Sequence, residues 1–208
     1  RKEFAVPYSK LHLAWRLPCS AHPDTPALSA LSSILGGGRS ARFYEKFHDR
    51  LGLVYSIEVH SNQSETDEGA FTISMDVDRA QRDKVRDLVL QELRNLAEED
   101  FTEDLKRVCK QTRVSRLRRR SSASGVASEM GADWFGSRNL NLSSEWQEAI
   151  ERVTTEDLHR VCSTWLSSPN VTEVSLDPPG SNAGDEERAS ASAGTALGEH
   201  VLGNGMKV

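Results

Sequence analysis

The sequence predicts an α+β domain: an antiparallel sheet of about four strands with helices packed mainly on one face. Three observations predict it. Stretches that alternate apolar and polar residues recur at 10–18, 53–60, 69–77 and 170–176, as strands with one buried face do. Longer stretches with apolar residues at three- and four-residue steps lie between and after them, as helices with one buried stripe require. A polar segment at 61–68 joins two of the alternating stretches, which makes that pair antiparallel.

Each element has its own signal. Residues 10–18 place Leu11, Leu13, Trp15 and Leu17 on one face, and Pro18 ends the strand. Asp24 precedes a helix in which Leu28, Leu31 and Ile34 or Leu35 recur. Pro26 sits in its first turn, where a missing N–H costs nothing. Gly36, Gly37 and Gly38 close it, since glycine tolerates the left-handed conformation of a helix end. A second helix has Ser40 as candidate cap, Phe43, Tyr44, Phe47 and Leu51 as its stripe, and Gly52 as its stop. In the next strand Val54, Ser56, Glu58 and His60 alternate with Leu53, Tyr55, Ile57 and Val59. In the strand after it Phe71, Ile73, Met75 and Val77 share a face. Residues 79–99 form an amphipathic helix on Val85, Leu88, Val89, Leu93 and Leu96. Another runs from Thr102 to about Arg120, and a weaker helical pattern covers 123–135. Trp146, Ala149, Ile150 and Val153 lie on one further helix, and Leu158, Val161, Cys162, Trp165 and Leu166 on the next.

The eight residues from Thr102 to Cys109 recur from Thr155 to Cys162 with one change, Lys106 becoming His159. Threonine caps orphan N–H groups, and the following Glu and Asp complement the positive end of the helix dipole. One short match does not establish a duplicated domain, so two helices with the same start signal are the plainer reading.

Composition bounds the function. Charged residues make up 27% of the 208, which excludes a membrane-embedded protein, and no apolar run approaches the ~18 residues of a spanning helix. A net charge of −5 argues against a dedicated nucleic-acid binder. A basic run (Lys106, Arg107, Lys110, Arg113, Arg116, Arg118, Arg119, Arg120) reads as the solvated face of a long helix, offset by upstream acids. Its alternative is an anion or nucleic-acid surface, although no aromatic residues interleave as stacking platforms. Cys19, Cys109 and Cys162 allow at most one disulfide and fix no compartment; bacterial periplasm and cytoplasm both stay open.

Catalytic signals are missing. None of His12, His22, His48, His60, His159 and His200 has another histidine three or four residues away, and no H-x-x-E-H exists in either direction. No G-x-S-x-G elbow occurs, and the triple glycine lacks a G-K-[ST] ending. No catalytic residue and no complete metal site is therefore expected in this stretch.

The expected organisation is one domain at 1–178, a flexible Gly/Ser/Ala-rich linker at 179–198, and the first strand and turn of a truncated following domain at 199–208. Asn204 and Gly205 supply that turn. With Arg1 first and the hairpin cut short, the sequence reads as a piece of a longer polypeptide.

The stretch from Leu35 to Ser56, LGGGRSARFYEKFHDRLGLVYS, resembles the pitrilysin/insulinase family of zinc metallopeptidases. That family writes it roughly as L-G-G-G-x-S-S-R-L-[YF]-x-x-[LV]-R-E-x-x-G-L-[AV]-Y-S. The flanking strand, the Pro-Asp segment, the loop with Asp67, Glu68 and Gly69, and the helix pairs agree in order over residues 5–178. The resemblance implies the second, non-catalytic domain of a first half-molecule. It would form part of a chamber and align extended peptide or unfolded polypeptide near a zinc ion held by a preceding domain. Other domains or subunits of the same clamshell are the implied partners, with no nucleic acid and no membrane. Substrate-binding residues carry over to Tyr55, and to His48, where the family's Arg/Tyr pair has arginine. Arg42 matches a different, earlier arginine of the motif. A histidine can donate to a peptide carbonyl but is not a permanent cation. Both residues have a purely structural alternative, packing between helix and sheet. A structural or partner subunit without protease activity is the rival function.

Overall fold

The computed structural model describes residues 2–3, 6–63, 68–166 and 171–179. The expected strand and turn at 199–208, and the expected linker beyond Pro179, lie outside the described residues.

The strands are β1 (Lys2–Glu3), β2 (Ser9–Leu17), β3 (Val54–Asn62), β4 (Gly69–Val77) and β5 (Thr172–Asp177). The α-helices are α1 (Thr25–Gly36), α2 (Arg82–Asn95), α3 (Thr102–Arg119), α4 (Ala123–Ser137), α5 (Leu142–Glu151) and α6 (Thr155–Val161). The sheet runs in the order β1-β5-β2-β4-β3. Its four longer strands pair antiparallel, as expected, and the two-residue β1 adds a parallel edge to β5 that no sequence signal announces.

Register makes one face apolar. Leu11 lies opposite Met75, Leu13 opposite Ile73 and Trp15 opposite Phe71, and all six are buried. The Trp15 and Phe71 rings meet edge to face at 6.5 Å. Helices cover this face through Leu28, Leu31, Ile34, Val85, Val89, Leu93, Val108 and Leu158, all buried. Each such side chain contributes about 1.5–3 kcal/mol by leaving water. The opposite face is polar and open, with a Lys10–Asp76 ion pair at 2.9 Å and a His12–Ser74 hydrogen bond at 2.8 Å. No helix among the described residues is long and apolar enough to cross a membrane.

Helix starts differ from the expected caps. Asp24 sits at the start of α1 without capping it; its carboxylate instead accepts from Arg160 at 2.7 Å and from the Trp165 indole at 3.0 Å, joining α1 to α6 and the segment that follows it. In the repeated octapeptide neither threonine caps. Asp100 accepts both the N–H and the hydroxyl of Thr102, and at the second copy Thr154 forms a reciprocal capping box with Asp157. The helix expected at 79–99 is α2 flanked by tight turns at Arg79–Gln81 and Leu96–Glu98.

The helix expected from Ser40 to Leu51 has a π-helical body, Tyr44–Arg50, with Ser40 left in the preceding turn and no side-chain cap at Phe43. Its wider turn, with the Leu51 N–H bonded to the Lys46 carbonyl, keeps Phe43 and Phe47 in the core but swings Leu51 out to 48% exposure. Arg42 anchors this segment to the start of α3. Its guanidinium bonds Asp104 at 2.6 Å and Glu99 at 3.1 Å, reaches the Asp100 carbonyl, and lies 4.7 Å over the Phe101 ring.

A buried polar cluster closes the other end of the sheet. Asp177, the last residue of β5, accepts the Ser9 hydroxyl at 2.6 Å and pairs with Arg82 at the head of α2; both charged side chains are fully buried.

The basic run on α3 is largely compensated. Arg113 pairs with Glu151 at 3.0 Å, while Arg116 and Arg120 both reach Glu129 of α4, at 3.0 and 2.7 Å. Arg116, followed by Arg120, holds the Glu129 carboxyl below the usual range. A lowered folded value means that Glu129 adds stability above the ordinary glutamate range and loses it as pH falls through the folded value. Acid titration followed by circular dichroism is therefore expected to show a shallower loss of stability in Glu129→Gln than in the parent; identical slopes would contradict it.

Candidate functional site

The two residues singled out by motif sit on different devices. Tyr55 belongs to β3, where Val54 pairs with Val77 and Ser56 with the next residue back, Asp76. Tyr55 is thus the extra residue of a β-bulge. Strict alternation would put it on the core face with Ile57 and Val59. The bulge gives that place to Val54, 5% exposed, and turns Tyr55 outward to 49% exposure. The sequence alternation is corrected at this point, because one inserted residue reverses the parity of everything before it.

The Tyr55 ring packs on Tyr8, just before β2, with centroids 4.1 Å apart and planes at 34°. Its hydroxyl donates to Asp78 Oδ1 at 3.1 Å. That hydrogen bond, more than any other influence, raises the phenol pKa above its ordinary value, so Tyr55 remains a donor at neutral pH. A half-exposed ring with a phenolic hydroxyl offers an apolar face and a polar tip to an extended backbone.

His48 rides on the π-helical segment. Its ring stacks on Tyr44 with centroids 4.4 Å apart and planes at 19°. Nδ1 lies 2.7 Å from Asp49 Oδ1, and Nε2 lies 3.4 Å from the Tyr44 hydroxyl. Both ring nitrogens therefore have partners on their own segment, and His48 reaches a peptide carbonyl only by releasing one. No hydrogen bond or ring contact joins the His48 and Tyr55 clusters among the described residues.

Sequence reasoning missed Tyr8 and Asp78. Neither belongs to the recognised motif, and their meeting with Tyr55 depends on the bulge, which leaves no mark in hydrophobic periodicity. Tyr8 precedes Ser9 and Asp78 follows Val77. Ser9, Val77 and Val54 form one row across β2, β4 and β3.

The chain's own ligands do not fit a zinc site: among the described residues no group of three or more His, Cys, Asp or Glu side chains can hold a metal ion. Burial pushes the Cys162 thiol up to about 12, and burial also raises that of Cys109, so neither is an activated nucleophile.

Residues 1–112 match the family model described as the peptidase M16 inactive domain. A protein of Rickettsia felis described as an uncharacterized zinc protease is 23% identical over 138 residues, covering 66% of this chain and 33% of its own. A solved protease from Helicobacter pylori superposes with a TM-score of 0.71 at 24% identity, over 83% of this chain and 42% of that one. A peptidase M16 inactive domain from Pseudomonas fluorescens does so with a TM-score of 0.71 at 22% identity, over 85% and 42%. An inactive peptidase domain from Bordetella parapertussis gives a TM-score of 0.70 at 18% identity, over 85% of this chain and 94% of that one. The chain thus spans about a third of the curated relative, and less than half of the first two solved chains. At these identities the solved structures establish the shared α+β fold.

Proposed function

The chain belongs to the peptidase M16 inactive-domain family, within the zinc proteases, and from that premise we propose that it forms part of the peptide chamber of a zinc-dependent metalloendopeptidase and aligns extended polypeptide there. The observation that carries this reading is Tyr55, which a bulge in β3 turns away from the core and leaves half exposed beside Tyr8. Its neighbours Ile57 and Val59 are buried, at 4% and 5% exposure, whereas Tyr55 keeps half of its surface open. The ring gives area at little entropic cost, and the hydroxyl gives one hydrogen bond that any peptide backbone can use. His48 is the secondary contact of this reading, held back by Tyr44 and Asp49. Hydrolysis would belong to zinc and a carboxylate base on another domain or subunit of the assembly; among the described residues no group of three or more His, Cys, Asp or Glu side chains can hold the metal.

Two measurements test the reading. A labelled extended peptide titrated into the 208-residue chain is expected to bind, and Tyr55→Ala to weaken it about tenfold, while His48→Ala changes it far less. Unchanged affinity in Tyr55→Ala would remove the site. The chain alone is expected to cleave no peptide with or without added zinc; zinc-dependent turnover would overturn the non-catalytic assignment.

A further inference from the structure

Building on the reading that peptide lies against Tyr55, we propose that Tyr8, Tyr55 and Asp78 together seat one lysine or arginine side chain of that peptide. Three elements deliver the three groups to one place. Tyr8 enters β2, Asp78 leaves β4 and Tyr55 is the bulge of β3, all beside the row Ser9, Val77 and Val54. The tyrosine rings meet at a tilt with centroids 4.1 Å apart, and 41% of Tyr8 and 49% of Tyr55 stay exposed, so ring surface remains open beside a carboxylate.

The charge of Asp78 is not spent within the domain. Asp78 is exposed and makes no ion pair among the described residues. It precedes the tight turn Arg79–Gln81, where an aspartate ordinarily caps, yet its side chain caps nothing. Among the described residues its carboxylate accepts one hydrogen bond, from the Tyr55 hydroxyl at 3.1 Å. The adjacent Arg79 is turned toward Asp177, with Nε 3.7 Å from Oδ1. The other carboxylate on the same strand end, Asp76, is neutralised by Lys10 at 2.9 Å.

Such a group selects a cation carried on an apolar stem. The negative faces of the rings attract an ammonium or guanidinium, and Asp78 adds a direct partner. The methylene stem lies along the exposed ring surface. A neutral side chain of equal length keeps only the stem contact, and a carboxylate meets Asp78 as a like charge. A bare metal ion is not the ligand, because one carboxylate supplies too few oxygens.

The test uses the whole chain and a set of fluorescent extended peptides that differ at one position: lysine, arginine, norleucine or glutamate. The lysine and arginine peptides are expected to bind about fivefold more tightly than the norleucine peptide, and the glutamate peptide least well. Added salt should shrink the preference. Asp78→Asn should abolish the charge preference, so that the lysine and arginine peptides bind no better than the norleucine peptide, and Tyr8→Leu should reduce it while keeping apolar contact. Equal binding across the set, or a preference that survives Asp78→Asn, overturns the proposal and leaves peptide alignment standing. Failure of every peptide to bind takes down the peptide-aligning reading, and this inference with it.

Discussion

Replacing Asp177 with asparagine lowers the unfolding free energy by an expected ~3 kcal/mol, a large share of the 5–15 kcal/mol typical of a domain. The reason is charge left behind. Asp177 and Arg82 are both fully buried and paired, and asparagine cannot neutralise a guanidinium. Arg82 keeps its bond to the half-buried Asp83 at 3.0 Å, which places the loss at the lower end of the range for breaking a buried pair. The Ser9 bond survives, because the amide oxygen can still accept it. The pair also closes the fold: it fastens the last residue of β5 to the first residue of α2, just before Pro178. Guanidinium unfolding followed by tryptophan fluorescence gives the comparison. Glu173→Gln is the control, since its contact with Arg86 is 3.5 Å and partly exposed; a cost below 1 kcal/mol is expected there. The double substitution Arg82→Met with Asp177→Leu should recover only part of the loss, because it removes the buried guanidinium but takes the acceptor from the buried Ser9 hydroxyl and the 3.7 Å contact from Arg79. A single Asp177→Asn cost as small as the control's would show that water reaches the pair.

The order of elements was readable because it rests on periodicity. Leu11 to Leu17 and Phe71 to Val77 alternate without interruption, and both strands lie where the alternation puts them. What periodicity cannot carry is an inserted residue. The bulge at Tyr55 reverses which residues of β3 face the core, and the π-helical segment does the same to Leu51. Both departures fall inside the motif that marked the site. Tyr55 could be singled out by resemblance, but its outward direction could not be derived from the alternation around it. The Arg42 contacts with Asp104, Glu99 and Phe101 were equally hidden, since they join residues some sixty positions apart. The octapeptide repeat located two helix starts while misplacing the caps. Sequence marks where a helix begins to within a residue or two, and the choice among adjacent Asp and Thr side chains is settled by packing.

The triple glycine gives the second large effect. Read from sequence, the three residues serve one purpose, ending α1. In the structure each answers a different constraint. A Cβ on Gly36 would lie 2.6 Å from both the backbone nitrogen and Cβ of Val59 on β3. A Cβ on Gly37 would lie 2.3 Å from the Ser33 carbonyl oxygen. Only Gly38 has a positive φ, at 107°, with open space around it. Gly36→Ala therefore asks a helix end and a strand backbone to separate, and a packed core resists: the expected cost is ~3 kcal/mol. Gly38→Ala costs only the local strain of the backbone, about 1–2 kcal/mol. Trimming the neighbour discriminates further. Val59→Ala removes Cγ2, 2.8 Å from the added methyl, but leaves the two closest atoms in place. The double variant Gly36→Ala with Val59→Ala should consequently regain little. If Gly36→Ala proves no worse than Gly38→Ala, or if Val59→Ala rescues it fully, the contact is one of side chains that can yield, and the glycine is a helix stop after all.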